Sequence, residues 1–195
     1  MTRAYTLKRR AEHQAETRRR IVEATVDLHA TLGPARTTIS DVAARAGVQR
    51  HTVYAHFPSE RDLAFACSGL ALERDPLPDD KPWRRIGDPE QRLRRGLAEV
   101  YAWFARNYEL AACVLRDAEI DRLTREIVHL RIGARMEDFR QVLSRGFPPG
   151  RKLQAAVRLA LSFQTWRSLV KDAGLSRDAA VDLMVSAIRC IADKR

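Results

Sequence analysis

Thr38-Ile-Ser-Asp-Val-Ala-Ala-Arg-Ala-Gly-Val-Gln-Arg-His-Thr-Val-Tyr-Ala-His-Phe57 reads as two short helices joined by a tight turn. Thr38 is placed to cap the first helix, and Asp41 three residues on completes a Thr-x-x-Asp capping box. Ile39, Val42 and Ala43 fall on one helical stripe, which predicts a buried face. Ala43 and Ala46 are small enough for a second helix to cross closely. Gly47 sits where a helix ends, at a position that commonly takes positive φ. Val48 is apolar and predicted to tuck under the turn. Gln49, Arg50, His51, Thr52 and Tyr54 then open the next helix with donors, acceptors and one charge. A helix made only for packing does not carry that set at its start. A helix whose N-terminal residues meet base edges in a major groove does. The bland alternative is an ordinary amphipathic helix pair.

Working outward, a first helix is predicted over 12–32, with Ile21, Ala24, Thr25, Leu28 and Leu32 as its buried stripe and Gly33-Pro34 as its stop. His56-Phe57-Pro58 closes the third helix. Ser59 and Asp62 form a second capping box for a fourth helix running to about residue 72. Ile21, Leu28, Ile39, Val42, Val53, Phe57 and Leu63 make the expected core of this four-helix head. Residues 73–88 hold three prolines and many charges and read as a linker or irregular loop. Helices follow over 89–108, where Leu93, Leu97, Val100, Tyr101, Phe104 and Tyr108 form a clean stripe, then at about 109–117, 119–145, 151–172 and from Ser176 to about 193. The fold class is all-α with about nine helices, without internal repeats.

Composition narrows function by exclusion. The chain has 195 residues and a net charge of +10, which suits an acidic partner such as nucleic acid. The charge is uneven. Residues 1–20 carry seven Lys or Arg against two Glu, whereas residues 21–72 carry four basic against five acidic side chains. The helix pair itself is therefore nearly neutral. The basic arm at 1–20 is expected to follow phosphates or enter the minor groove, or else to be a solvated tail. Cys67, Cys113 and Cys190 lack any Cys-x-x-Cys pairing and read as small buried hydrophobes in a reduced compartment. The five histidines form no metal set; His51 and His56 point to different helix faces. No Gly-rich phosphate loop, nucleophile elbow or Cys/His constellation marks an enzyme, and no cofactor or metal is expected. No apolar run spans a bilayer, so no membrane partner and a cytoplasmic location are expected.

The head resembles the DNA-binding domain of the TetR family of bacterial transcriptional regulators. The resemblance runs through Arg20-Ile-Val-Glu-Ala-Thr-Val-Asp-Leu28, Gly33, Thr37-Thr38-Ile39, Asp41-Val42-Ala43, Ala46-Gly47-Val48, Thr52-Val53-Tyr54, Phe57-Pro58-Ser59 and Asp62-Leu63, about a quarter of the chain. It implies a regulator, most often a repressor, released from a near-palindromic double-stranded DNA operator by a small-molecule effector. It implies a homodimer. It also implies a DNA-binding domain over 12–58, preceded by the arm at 1–20, and a ligand-binding and dimerisation body over 59–195. Gln49, Arg50, His51 and Thr52 are the expected base readers. Thr38, Tyr54 and His56 are the expected phosphate contacts. Three residues depart from the family pattern: Glu60 stands where a Lys commonly reaches a phosphate, His29 where an aromatic is usual, and Pro34 where an aromatic usually follows the glycine. Arg61 is the candidate to replace the lost Lys contact. Tyr101, Phe104, Tyr108, Met136, Phe139, Phe163 and Trp166 are candidate effector lining, with plain core as the alternative for each. Ala156, Ala160, Phe163, Met184, Ala187 and Ile191 are the expected dimer contacts. The competing function class is a helical ligand-binding or architectural protein that binds DNA weakly and without sequence choice.

Overall fold

The computed structural model describes residues 3–193, with side chains from Lys8 onward, and every regular element among them is helical. The helices are α1 (Arg3–Thr31), α2 (Ile39–Ala46), α3 (Arg50–His56), α4 (Glu60–Arg74), α5 (Lys81–Arg84), α6 (Pro89–Arg106), α7 (Tyr108–Asp117), α8 (Arg122–Val128), α9 (Ala134–Ser144), α10 (Arg151–Ala160), α11 (Phe163–Trp166) and α12 (Arg177–Asp193). None of the described helices is long and apolar enough to cross a membrane. The chain forms two compact units. One holds residues up to Pro76 together with Glu109–Arg131; the other holds Leu77–Tyr108 and everything from Ile132 on. These units cut across the division expected from the sequence, 12–58 and 59–195.

In the first unit α1 packs on α2 and α4, and α2 packs on α3. Ile21, Val42, Val53, Phe57, Leu63 and Cys67 are buried at its centre, with Leu28 and Ile39 partly buried against them. Each large apolar side chain taken out of water here contributes about 1.5–3 kcal/mol. Both predicted capping boxes are present. Asp41 N donates to Thr38 Oγ1 at 3.2 Å and Thr38 N donates to Asp41 Oδ2 at 2.9 Å. Ser59 and Asp62 repeat the pattern at 3.1 and 3.2 Å. Gly47 takes the left-handed conformation at φ 65°, and its N–H returns to Ala43 and Ala44 carbonyls, so the helix ends there. Leu32 lies beyond the last turn of α1 and is exposed rather than buried.

The second unit is built on α6, which packs against α9 and α12, with α10 on α9 and α12. Here the sequence reading needs several corrections. The stretch expected to be irregular contains α5, whose Trp83 is fully buried. Trp83 packs on Phe139 with ring centroids 4.9 Å apart, and its Nε1 donates to Glu99 at 2.9 Å. Asp80 sits before it, held by Arg84 at 2.6 Å and Arg135 at 3.0 Å. The single helix expected over 151–172 is broken at Leu161-Ser162. Ser162 takes extended backbone and its Oγ accepts from Thr165 N at 3.1 Å, a cap that starts α11 afresh. A wider π-turn follows over Arg167–Asp172, and another at His129–Gly133 joins α8 to α9 within the helix expected over 119–145. That helix begins at Arg122, where Asp121 caps Thr124 N at 2.6 Å. Of the three cysteines only Cys67 is buried; Cys113 is half-buried and Cys190 is exposed on α12.

Candidate nucleic-acid interface

α3 is seven residues long, too short to hold itself, and its position is fixed from beneath. Val53 is fully buried and Phe57, at its C-terminal cap, is nearly so. With that face anchored, Gln49, Arg50, His51 and Tyr54 point outward and are exposed, while Thr52 and His56 are half-buried. Tyr54 keeps 46% of its surface open, so it is a surface aromatic rather than a core one. The structure thus brings Gln49, Arg50, His51, Thr52, Tyr54 and His56 onto one short helix and its cap. Arg50 has no hydrogen-bond or ion-pair partner among the described residues, so its guanidinium is free for an acceptor edge.

Thr38 and Arg61 differ from that group. Thr38 is exposed at the start of α2, but its hydroxyl donates to Asp41 Oδ2 at 2.7 Å and its N–H is held by the same carboxylate. Hydrogen bonds from Thr38 hold the Asp41 carboxyl below the usual range. A phosphate at Thr38 must share or displace that bond. Arg61 is turned away from α3: Nη1 pairs with Glu126 at 2.6 Å, and the guanidinium lies 5.2 Å from the Phe65 ring centroid. Glu126 comes from α8, a pairing no local sequence pattern announces.

The arm is helix. Arg3 onward is continuous with α1, and a helix with its side chains is about 10–12 Å across while the minor groove is about 6 Å wide. Residues 3–20 are therefore not an irregular tail, and in this form they are too wide for a minor groove. Residues 1–2 fall outside the described chain. Sequence reasoning counted Arg18 only as one charge of the basic arm; its guanidinium sits 4.6 Å from the Phe57 ring centroid at the C-terminal end of α3. Its signal was available only as a basic residue one helical turn before the Ile21 stripe.

Behind α3 the first unit contains a second polar cluster. His29, the departure noted in the sequence, is largely enclosed, with Nδ1 3.7 Å from Cys67 Sγ. Burial pushes its pKa down to about 4, against the opposing pull of Asp117, and burial pushes the Cys67 thiol up to about 12. Asp117 accepts from Ala35 N at 2.9 Å and from Arg116 Nε at 2.8 Å. Burial opposes its ionisation, but these bonds and the charges of Arg116 and Arg36 hold the carboxyl below its ordinary range. Gly33, at φ 93°, passes so close to Asp117 that any Cβ would collide with the carboxylate.

In the second unit the candidate effector residues separate into two groups. Phe104, Tyr108, Phe163 and Trp166 touch one another, with centroid distances of 5.4–6.3 Å. Tyr101 stands beside Phe104, is fully buried, and donates its hydroxyl to Ala160 O at 2.9 Å. Phe139 instead packs on Trp83, and Met136 is half-buried. Lys171 lies over the Tyr108 ring at 4.4 Å. Trp166 Nε1 is buried with no hydrogen-bond partner. Arg135 is tied to Asp80, and in the first unit Arg116 is tied to Asp117 and the Leu32 carbonyl. Gln164 and His129 are exposed. Of the expected dimer contacts, Ala160, Phe163 and Met184 are buried inside the chain, Ala156 is half-buried, and Ala187 and Ile191 are exposed. The outward apolar stripe on α10 and α12 is instead Ala155, Leu159, Ala179, Leu183, Ala187 and Cys190, at helical spacing.

Comparison with known proteins places this geometry. Residues 21–67 match the model for bacterial regulatory proteins of the tetR family. The transcriptional repressor KstR of Mycolicibacterium smegmatis is 31% identical over 106 residues, which is 54% of this chain and 52% of that protein. The matched stretch thus spans about half the length of the curated relative. A TetR-like transcriptional regulator from Rhodococcus sp. RHA1 superposes with a TM-score of 0.63 at 21% identity, covering 91% of this chain and 97% of its own. PfmR, a TetR family regulator of Thermus thermophilus, gives 0.60 at 23% identity, covering 89% and 94%. At such identities these two structures speak to fold alone.

Proposed function

Because this chain belongs to the tetR family of bacterial regulatory proteins, we propose that it is a DNA-binding transcriptional regulator, acting as a repressor that a small-molecule effector releases from a near-palindromic operator. The observation that carries the reading is the outward face of α3. Base-reading and phosphate-reading side chains are exposed there, on a helix held rigidly by Val53 and Phe57. Arg50 is suited to guanine and Gln49 to adenine, each good pair discriminating by about 1–3 kcal/mol. Tyr54, His56 and Thr38 set register on phosphates. Residues 12–58 carry this role. Residues 59–195 are proposed to receive the effector and a second copy of the chain, and the protein works in the cytoplasm without catalysing a reaction.

Two features support the roles of the body. Trp166 Nε1 is a buried donor without a partner inside an aromatic cluster, which suits an apolar effector bearing one acceptor. The outward stripe of Leu159, Leu183 and Ala187 leaves apolar surface that a two-fold mate covers, with Ala160, Phe163 and Met184 supporting it from beneath. A dimer sets two α3 helices on half-sites roughly 34–36 Å apart or at a related spacing.

The test compares binding to the DNA upstream of the chain's own coding region with binding to random duplex across a salt series. Tighter binding to the upstream DNA, relaxed in base choice by Arg50→Ala and weakened alike on all sequences by Tyr54→Phe, is the expected result. Equal affinity for both duplexes at every salt concentration sinks the regulator reading in favour of a non-specific DNA binder.

A further inference from the structure

An open cleft of about 350 Å³ lies between α1 and the C-terminal end of α3, lined by Gln14, Ala15, Arg18, Ala55 and His56. We propose that this cleft is a phosphodiester seat, in which Arg18, His56 and Gln14 hold one DNA backbone phosphate at the end of α3 opposite Arg50; the proposal rests on the DNA-binding reading of α3 and extends the contact surface onto α1.

Three observations carry it. The first is donor supply. Arg18 makes no hydrogen bond or ion pair among the described residues, and its contact is with the flat face of Phe57, which leaves the guanidinium edge open. Three other cations of the first unit are engaged elsewhere: Arg19 with Glu16 and Glu23, Arg45 with Asp27, Arg61 with Glu126. Phe57 is itself nearly buried, so the ring fixes where the guanidinium stands before any anion arrives. The second is charge placement. At about 100° per residue, Lys8 and Arg10 flank the Gln14–Arg18 face of α1, while Glu12 and Glu16 fall on the far side, Glu16 paired with Arg19. No carboxylate lines the cleft. The third is shape. Ala15 and Ala55 are small and exposed, so the cleft is open and no bulky side chain keeps a backbone phosphate from Arg18 and His56. Arg18 and Arg50 then stand at opposite ends of a helix about 10 Å long. One is placed for a base edge and the other for the backbone beside it.

A free phosphate ion has the same chemistry as a phosphodiester, and the experiment separates the two. Salt dependence of binding to random-sequence duplex is measured for the full chain and for Arg18→Gln, Gln14→Glu and Arg20→Gln. Removing one phosphate contact reduces the slope of log K against log salt by about one. Arg18→Gln and Gln14→Glu are expected to lower that slope by about one, and to weaken specific and random duplex by the same factor. Gln14→Glu leaves the Arg18–Phe57 contact in place, and so keeps the test valid if Arg18→Gln loosens the head; the thermal midpoint of each variant reports this. Arg20→Gln removes the same charge from another face of α1 and is expected to leave the slope within error of the parent. An equal drop in Arg20→Gln, or unchanged slopes in both cleft variants, overturns the proposal. Titration of inorganic phosphate into the DNA-free protein, followed at the His56 ring resonances, supplies the other arm. Saturable shifts there, with DNA slopes unaffected by the cleft variants, mark a free-anion site and also overturn it. If the unsubstituted chain binds no duplex at any salt, the regulator reading fails and the seat falls with it, an outcome distinct from binding that persists with unchanged slope.

Discussion

The outer face of α3 and the aromatic cluster around Trp166 were both picked out by side-chain type, donors and acceptors on the one and aromatic rings in the other. They are physically opposite. On α3 the interesting residues are outside, because Val53 and Phe57 occupy the inner positions and leave no room for others. Around Trp166 the interesting residues are in contact with one another, and Tyr101, Phe104, Phe163 and Trp166 have almost no surface left. A polar residue on a short anchored helix is available to a partner as it stands. A buried aromatic serves first as core, and serves a ligand only if the core opens or already holds space. The difference teaches that helical periodicity identifies which face is apolar, while the number of elements that converge on that face decides whether it is wall or filling.

The sharpest way to break this contrast is Trp166→Ala. As core filling, Trp166 is expected to cost about 3–5 kcal/mol of unfolding free energy when truncated, read by denaturant titration. A loss under about 1 kcal/mol would instead make the cluster a preformed pocket wall. Glycines test the rigidity of the first unit. Gly33→Ala forces a side chain into a positive-φ position against the Asp117 carboxylate and is expected to cost about 3 kcal/mol. Gly47→Ala meets open space at φ 65° and is expected to cost about 1–2 kcal/mol from backbone strain alone. Comparable costs at the two positions would show that Asp117 yields.

His29 provides the pH test. Its folded pKa of about 4 lies below the ordinary 6.5, so the unfolded chain binds the extra proton first. The stability tied to neutral His29 is therefore complete above pH 6.5 and is lost as pH falls through that value toward 4. With solvent screening discounted the loss is about 1–2 kcal/mol. His29→Phe is expected to flatten this segment of the profile, and an unchanged profile would place the ring in solvent. The smallest effects belong to the caps. Ser59→Ala and Thr38→Ala are each expected to cost about 1 kcal/mol of stability. Only Thr38→Ala is expected to weaken DNA binding as well, since Thr38 begins the helix that carries α3. Equal DNA affinity in the two variants would remove Thr38 from the interface.

Much of the head was legible because its signals are local. Thr38 and Asp41, Ser59 and Asp62, and Gly47 each act over three or four residues, and the structure has all of them in place. The break at Leu161-Ser162 was missed because apolar periodicity runs on through it, and a serine cap without a following Glu or Gln is a weak signal. α5 was missed because its stability comes from Phe139, Glu99 and Arg135, distant in sequence. Arg61 illustrates the same limit within the candidate site: its position beside the Pro-Ser turn suggested a phosphate, but Glu126 holds it. Ala160, Phe163 and Met184 were expected on an outer face and are buried inside the chain, since small and apolar residues occur all around α10 to α12 and only burial separates inner from outer.

The sequence by itself determined the all-α class, the helix-turn-helix with its caps and left-handed glycine, and which residues of α3 face outward. Short-range hydrogen bonds and a helical period of about 3.6 residues are written in adjacent positions, so they need no partner to be read. Tertiary structure alone decided that the basic arm continues α1, that Arg18 stands free on Phe57 while Arg61 is paired, that His29 is kept neutral, and that the aromatics of the second unit fill its core. Each of those depends on which surfaces meet across distant stretches of chain, where burial and charge pairing are set by packing and not by spacing along the sequence.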